Sequence, residues 1–320
     1  MSIIRIFRDV ETVTHFTVDW MLHDRCTYNC SYCPPANKSG TDSWLNLEKL
    51  DEFCISLEKH VAEINPTFKI HCLFTGGEPT VWKDFGQLVA KLHARGWPLT
   101  VNSNGSRTER WWKEYAKNFA HVILSYHTES VNDDEFIEKL RICQEVTRTT
   151  VNVMMNPKPE FFEKALAFAK RLKEEIPTVT INHYKIQHTF GLQNIDVPHY
   201  TAEQKEILRN TPDYFPVTNP EFLIVKNNLL VEKTTGEITG LDPLELLDTG
   251  RANFSGWDCY AGLEGIFIDA RGDIMRGTCR VGGVMGNVLD PKNIQWARDP
   301  ICCPRSWCGC VTDIMTSKTK

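Results

Sequence analysis

Cys26, Cys30 and Cys33 lie in the stretch Cys26-Thr27-Tyr28-Asn29-Cys30-Ser31-Tyr32-Cys33, separated by three and then two residues. Thiolates this close in sequence can converge on one soft metal centre, and the centres that favour all-thiolate ligation are zinc and iron–sulfur clusters. Three local ligands leave one position of a four-iron cluster open unless a distant residue fills it, and an open position is where chemistry can take place. A structural zinc knuckle is the alternative. It ordinarily draws on a second local pair, whereas the next cysteine, Cys54, falls in a helix-like run.

The chain carries twelve cysteines in all, and they are clustered. In a reducing compartment such a set reads as metal ligands or catalytic groups rather than disulfides. Cys54, Cys72 and Cys143 sit in apolar contexts, where a thiol acts as a small buried hydrophobe. Six more fall in the last quarter: Cys259, Cys279, Cys302, Cys303, Cys308 and Cys310. Cys259 and Cys279 flank a predicted hairpin with its turn at Arg271-Gly272-Asp273, which brings their thiolates together. The four tail cysteines then supply the remaining ligands of a second centre, with zinc and iron–sulfur both compatible with the spacing. Trp257 and Trp307 stand beside these cysteines and are expected to shield the centre from water.

The surrounding elements must position the first triplet. Residues 16–22 alternate as a strand that delivers the cysteine loop, and Pro34, Pro35 and Gly40 keep that loop out of a helix. Apolar residues then recur at helical spacing from Leu47 to Val61. After that, strands at 68–74, 99–102, 121–126, 149–155 and 178–186 alternate with helices at 84–94, 110–119, 133–146 and 160–175. Regular alternation implies a parallel sheet with helices outside. Six units over this length fit an open, partial (β/α)6 TIM-type barrel, with functional residues at the C-terminal ends of the strands.

Candidates fall at those ends. Gly76 and Gly77 permit close backbone approach, and the Glu78 carboxylate can bind an amino group, although Gly-Gly and Glu-Pro also make plain turns. Asn102, Ser103 and Asn104 follow the third strand, and Ser125, His127 and Glu129 close the fourth. His127 and Glu129 could meet a substrate hydroxyl or act as a base, or could simply satisfy loop backbone. The fifth strand ends in Met154-Met155-Asn156, which makes Met155 a possible substrate contact.

Composition narrows the field. With 42% hydrophobic and 24% charged residues the 320-residue chain is ordinary for a soluble globular protein. A net charge of −5 gives no electrostatic footprint for nucleic acid or an anionic membrane. No signal peptide and no apolar run of spanning length is visible, so a cytoplasmic protein is expected.

The pattern Cys26-x3-Cys30-x-Tyr32-Cys33, followed by Gly76-Gly77-Glu78-Pro79 after the next strand, resembles the radical S-adenosylmethionine (SAM) superfamily over residues 16–190. The resemblance implies a [4Fe-4S] cluster on Cys26, Cys30 and Cys33, with SAM on its fourth iron. Tyr32 would lie by the adenine, Gly76 to Glu78 by the SAM amino group, and Asn102, Ser103, Asn104 and Ser125 by its carboxylate and ribose. It further implies that an electron from flavodoxin or ferredoxin cleaves SAM to a 5′-deoxyadenosyl radical, which takes hydrogen from the substrate.

The C-terminal part resembles the twitch or SPASM auxiliary-cluster extension of the same superfamily. This implies one auxiliary cluster, [4Fe-4S] in type, on Cys259 and Cys279 with ligands among Cys303, Cys308 and Cys310. The expected organisation is an N-terminal extension at 1–15, the partial barrel at 16–190, a linker or insertion with a β-hairpin at 191–257, and a small hairpin-containing auxiliary-cluster domain at 258–320. The expected reaction is oxidation or rearrangement of a small polar metabolite of sugar, cyclitol or nucleoside type. Modification of a ribosomally made peptide is the alternative, and a non-catalytic iron–sulfur or zinc protein is the third reading.

Overall fold

A computed structural model describes residues 2–8, 14–34, 37–38, 40, 46–186, 189–190, 193–211, 229–241, 246–247 and 249–320. The elements in chain order begin with β1 (Ile3–Arg8) and β2 (His15–Met21), then α1 (Leu47–Ile64), β3 (Lys69–Thr75), α2 (Phe85–Ala94), β4 (Leu99–Ser103) and α3 (Glu109–Tyr115). They continue with β5 (His121–Tyr126), α4 (Asp133–Gln144), β6 (Arg148–Met155), α5 (Pro159–Glu175) and β7 (Thr180–Lys185). Beyond these come the short β8 (Thr189–Phe190) and β9 (Gln193–Asn194), α6 (Ala202–Asn210), β10 (Leu229–Lys233) and β11 (Ile238–Leu241). The C-terminal quarter adds β12 (Asp258–Cys259), β13 (Gly265–Ile268), β14 (Asp273–Met275), β15 (Val284–Asn287), β16 (Ile301–Cys302), α7 (Val311–Ile314) and β17 (Lys318–Thr319).

The helices start where local chemistry caps them. Asn46 Oδ1 accepts the Glu48 amide at the start of α1 (2.9 Å), Asn132 caps α4, and Thr201 with Gln204 forms a reciprocal capping box on α6. Each long helix buries one stripe; in α1 it is Leu50, Phe53, Cys54, Leu57 and Val61.

Strands β2 to β7 pair in sequential parallel order, as the alternation predicts, and the sheet stays open. One face lies under the helices, where Val18, Trp20, Phe74, Val101, Leu124 and Val153 are essentially fully buried. The other face is polar. Near its lower end His71 Nε2 meets Thr100 Oγ1 and His121 Nε2 meets Thr150 Oγ1, both at 2.8 Å, so each histidine bridges to the next strand.

Burial, assisted by neighbouring basic groups, holds His71 down to about 4 and His121 down to about 3. Both are neutral in the folded protein at pH 7. A depressed pKa means that stability is present above the ordinary value near 6.5 and is lost as pH falls through the folded values, because the unfolded chain takes the protons first. Denaturant titrations should show a loss of roughly 2 to 3 kcal/mol per histidine by about pH 4.5, and His121→Gln should remove its share of that slope.

The C-terminal quarter departs from a free-standing hairpin. β13 pairs in parallel with β2, with Gly265 opposite Thr17 and Ile268 opposite Trp20. β14 and β15 then follow antiparallel, so the hairpin extends the main sheet to nine strands. Gly265 permits the contact, since a Cβ there would lie 2.6 Å from the Thr17 carbonyl oxygen. A second sheet, ordered β11-β10-β1-β17-β12-β16, joins the N-terminal strand to the C-terminal one. Ile6 of β1 is fully buried in it, and residues 3–8 of the N-terminal extension form a strand paired with β10 and β17. Among the described residues no helix is long and apolar enough to cross a membrane.

Candidate active site

The cysteine loop leaves the C-terminal end of β2 and lies across the ends of β3 to β6. Gly76 and Gly77 hold its start: the Gly77 amide donates to the His23 carbonyl (2.9 Å), and the Glu78 amide to that of Arg25 (2.6 Å). A Cβ on Gly76, whose φ is +121°, would lie 2.4 Å from the His23 carbonyl oxygen, and one on Gly77 2.0 Å from that of Arg25. The glycines are therefore required by close approach of loop backbone. Pro35, part of the sequence argument for this loop, lies outside the described residues.

Glu78 differs from its expected role. Its Oε1 accepts from the Thr80 amide (3.1 Å), Thr80 Oγ1 (2.6 Å) and Ser103 Oγ (2.8 Å), and its Oε2 from the Asn104 amide (2.6 Å). Four donors are about what a carboxylate accepts. Burial raises its pKa and these hydrogen bonds oppose the rise. The carboxylate ties β3 to β4 rather than presenting itself to an amino group. Ser103 is spent in the same knot, since its Oγ also accepts the Gly105 amide (3.1 Å).

Two further strand ends reach the loop with polar side chains, those of β4 and β5, and that of β6 supports them through Asn156. Asn104 Nδ2 donates to Thr27 Oγ1 (3.0 Å) and lies 3.5 Å from Cys26 Sγ. The Glu129 carboxylate accepts from the Ser31 amide (2.8 Å), Ser31 Oγ (2.6 Å) and Asn156 Nδ2 (2.6 Å). It thereby fixes the turn between Cys30 and Cys33, with both oxygens engaged. His127 Nδ1 stands 2.6 Å from Tyr32 Oη and 3.5 Å from Cys30 Sγ, with its ring stacked on Tyr32. Burial, opposed by Glu129, holds His127 down to about 4, so it is a neutral imidazole. Of the two readings open for His127 and Glu129, substrate contact or support of loop backbone, the structure has both facing the cysteine loop.

Met155 is also misplaced by the sequence reading. It is fully buried in the core beneath the helices. The residue packed against the cluster of Cys30, Tyr32 and Ile186 is its neighbour Met154, because a step of one residue along a strand changes face. Asn102 and Ser125 do lie on the polar face, and Asn102 Oδ1 is buried there without a hydrogen-bond partner.

The thiols themselves are costly to ionise in isolation. Burial and then neighbouring acidic groups or thiols push Cys30 up to about 12 and Cys33 up to about 11, while burial raises Cys26. A cationic iron core is the kind of partner that would make three such thiolates stable.

The second cysteine set also gathers. Cys259, Cys279, Cys303 and Cys308 line one small cavity together with Asp313 and Lys318. Cys302 is exposed because it precedes Cys303 on the end of a strand and points the other way. Cys310 lines a neighbouring cavity with Cys279, Arg305 and Trp307, which sets it apart from the four. Burial pushes Cys279 up to about 12 and raises Cys259 and Cys308, with Lys318 opposing the rise at the latter two. Among the described residues no three His, Cys, Asp or Glu side chains are gathered into a ready single-ion site.

Residues 20–188 match the family model of the radical SAM superfamily. The chain belongs to the radical SAM superfamily. Radical SAM proteins carry a [4Fe-4S] cluster and SAM, and two observations here fit that pair: the cysteine triplet gathered over the strand ends, and the unpartnered Asn102 oxygen.

This radical SAM chain is 36% identical over 94 residues to the GTP 3′,8-cyclase of Rhizobium etli, which covers 27% of this chain and 25% of that one. It is 30% identical over 82 residues to the 7-carboxy-7-deazaguanine synthase of Bacteroides thetaiotaomicron, covering 26% and 38% respectively. It therefore spans well under half of either relative. The crystal structure of Streptococcus suis SuiB bound to the precursor peptide SuiA superposes with a TM-score of 0.53 at 16% identity, covering 87% of this chain and 63% of that one. That likeness is one of fold.

Sequence reasoning passed over Asn156, Asp313 and Lys318. Asn156 follows a strand end, which is a usable signal. Nothing local distinguishes the other two.

Proposed function

We propose that this radical SAM protein removes hydrogen from a small polar metabolite of nucleoside, sugar or cyclitol type. We further propose that Cys259, Cys279, Cys303 and Cys308 hold one auxiliary iron–sulfur cluster. The cluster and SAM, when bound at Cys26, Cys30 and Cys33, supply the 5′-deoxyadenosyl radical. The chain's own residues bind, orient and keep water from the reacting carbon.

The observation that carries the substrate class is the polar face of the sheet. Thr75 Oγ1 donates to Asp19 Oδ1 (3.2 Å), Asn182 Nδ2 donates to Asn152 Oδ1 (2.9 Å), and Asn102 Oδ1 waits unpartnered. Such a face suits hydroxyl groups and ring nitrogens better than an apolar chain. Burial lifts Asp19 to about 7, so its carboxyl can donate or accept near neutral pH. The names of two relatives, a GTP cyclase and a deazaguanine synthase, support the nucleoside end of this class.

The test is anaerobic turnover of the reconstituted protein with SAM and a low-potential donor such as flavodoxin, ferredoxin or dithionite. The panel holds nucleosides, nucleotides, sugars, cyclitols and short peptides. The expected result is 5′-deoxyadenosine formed in proportion to product with one of the metabolites. Cleavage stimulated by peptide alone would replace this reading with peptide modification.

A further inference from the structure

Lys318 is a cation sealed inside the protein, 1% exposed. Its Nζ donates to the backbone carbonyls of Asp313 (2.6 Å), Thr316 (2.7 Å) and Ile314 (3.2 Å), and it lies 4.9 Å from the centroid of the Phe254 ring. These partners are dipoles and a ring face, none of them charged. The nearest acidic side chain along the chain is committed elsewhere. Asp313 Oδ1 accepts the Thr278 amide (3.1 Å), and Oδ2 accepts Thr278 Oγ1 (2.7 Å) and the Cys279 amide (2.9 Å). Among the described residues no carboxylate pairs with Lys318 within 4.0 Å.

An ammonium taken out of water costs several kcal/mol unless opposite charge shares its surroundings. What shares them is the four-cysteine cavity, which Lys318 lines together with Arg305 and with Asp313, whose carboxylate is already met by Thr278 and the Cys279 amide. A four-iron core with four thiolates is net anionic, and becomes more so on reduction.

We propose that Lys318 is the built-in counter-charge of the four-cysteine centre, a positioning residue that favours its reduced state and holds the C-terminal tail closed over it. This rests on the reading that the cavity holds an iron–sulfur cluster. A fixed positive charge in a low-dielectric setting stabilises the more negative member of a redox pair. A merely structural lysine, there to tie down the carbonyls at the end of α7, would leave the redox equilibrium untouched.

The experiment uses the full chain with Cys26, Cys30 and Cys33 replaced together by alanine, so that only the second centre can bind iron. Iron and sulfide are counted, and the midpoint potential is measured by anaerobic redox titration, for the Lys318 chain and for Lys318→Gln, Lys318→Met and Lys318→Arg. Expected is unchanged iron, a shift of at least tenfold in the equilibrium against reduction in the Gln and Met variants (about 59 mV for a one-electron couple), and recovery of the potential in Arg. Iron retained with an unmoved potential would overturn the proposal and leave the cluster standing. If the neutral variants lose the iron, retention in Arg is the same charge requirement, and loss in all three overturns it. Absence of iron from the Lys318 chain itself would sink the cluster reading and this proposal with it.

Discussion

Cys308→Ala is expected to lower the iron at the second centre below about four per chain, whereas Cys310→Ala leaves that iron in place. The two residues are separated only by Gly309 in a tail whose spacing does not choose between them. The structure separates them by direction. Cys308 is buried and faces Cys259, Cys279 and Cys303, while Cys310 stands at the start of α7 and lines the next cavity. Burial, then Asp313 and Asp19, push Cys310 up to about 11. Iron counting in the background lacking Cys26, Cys30 and Cys33 gives the answer directly. The same comparison applies to Cys303→Ala and Cys302→Ala, where the first is expected to lose iron and the second to keep it. Iron lost from Cys310→Ala and kept in Cys308→Ala would reverse the assignment.

What could be read from the sequence follows the range of the interactions involved. The six strand–helix units are legible because each is written in its own apolar spacing, and β5, for one, falls at 121–126 as expected. The cysteine loop and its glycine pair are legible because close backbone approach leaves few alternatives to glycine. Pairings across long sequence separations leave no such mark. Nothing in Gly265-Ile266-Phe267-Ile268 says that it will lie beside β2, and nothing in Ile3 to Arg8 says that it will meet both β10 and β17. Side-chain roles at strand ends fail for a subtler reason. Glu78, His127 and Glu129 have the residue types of a binding site, and the structure commits all three to supporting the loop. A polar side chain at a strand end can face the ligand or the scaffold that holds it, and local sequence is silent on which. Met154 and Met155 show the same limit at its smallest, since a shift of one position exchanges the site for the core.

That division between ligand-facing and scaffold residues sets the other large expected effect. Gly77→Ala should destabilise the protein by about 3 kcal/mol or more, because its Cβ would meet three backbone atoms, the Arg25 carbonyl oxygen at 2.0 Å, its carbon at 2.5 Å and the Asp24 carbonyl carbon at 2.8 Å. None of these is the flexible end of a side chain, so relief requires the start of the cysteine loop to move as a unit. Movement breaks the Gly77–His23 and Glu78–Arg25 backbone hydrogen bonds and carries Cys26 away from Asn104. Iron at the first centre should therefore fall along with the denaturant midpoint. Gly96→Ala is the control: its φ of +80° carries backbone strain of about 1 to 2 kcal/mol, but no atom lies within 4 Å of the added carbon. Gly77 has no positive φ, so its loss comes from the contact alone, and a loss no greater than that of Gly96→Ala would mean that the contact relaxes at little cost. A loss confined to stability, with first-centre iron intact in Gly77→Ala, would show that the loop can hold its cluster without the glycine cradle. The expected pattern is a larger loss of stability in Gly77→Ala together with loss of iron, because the contact that fixes the chain there is the one that aims Cys26.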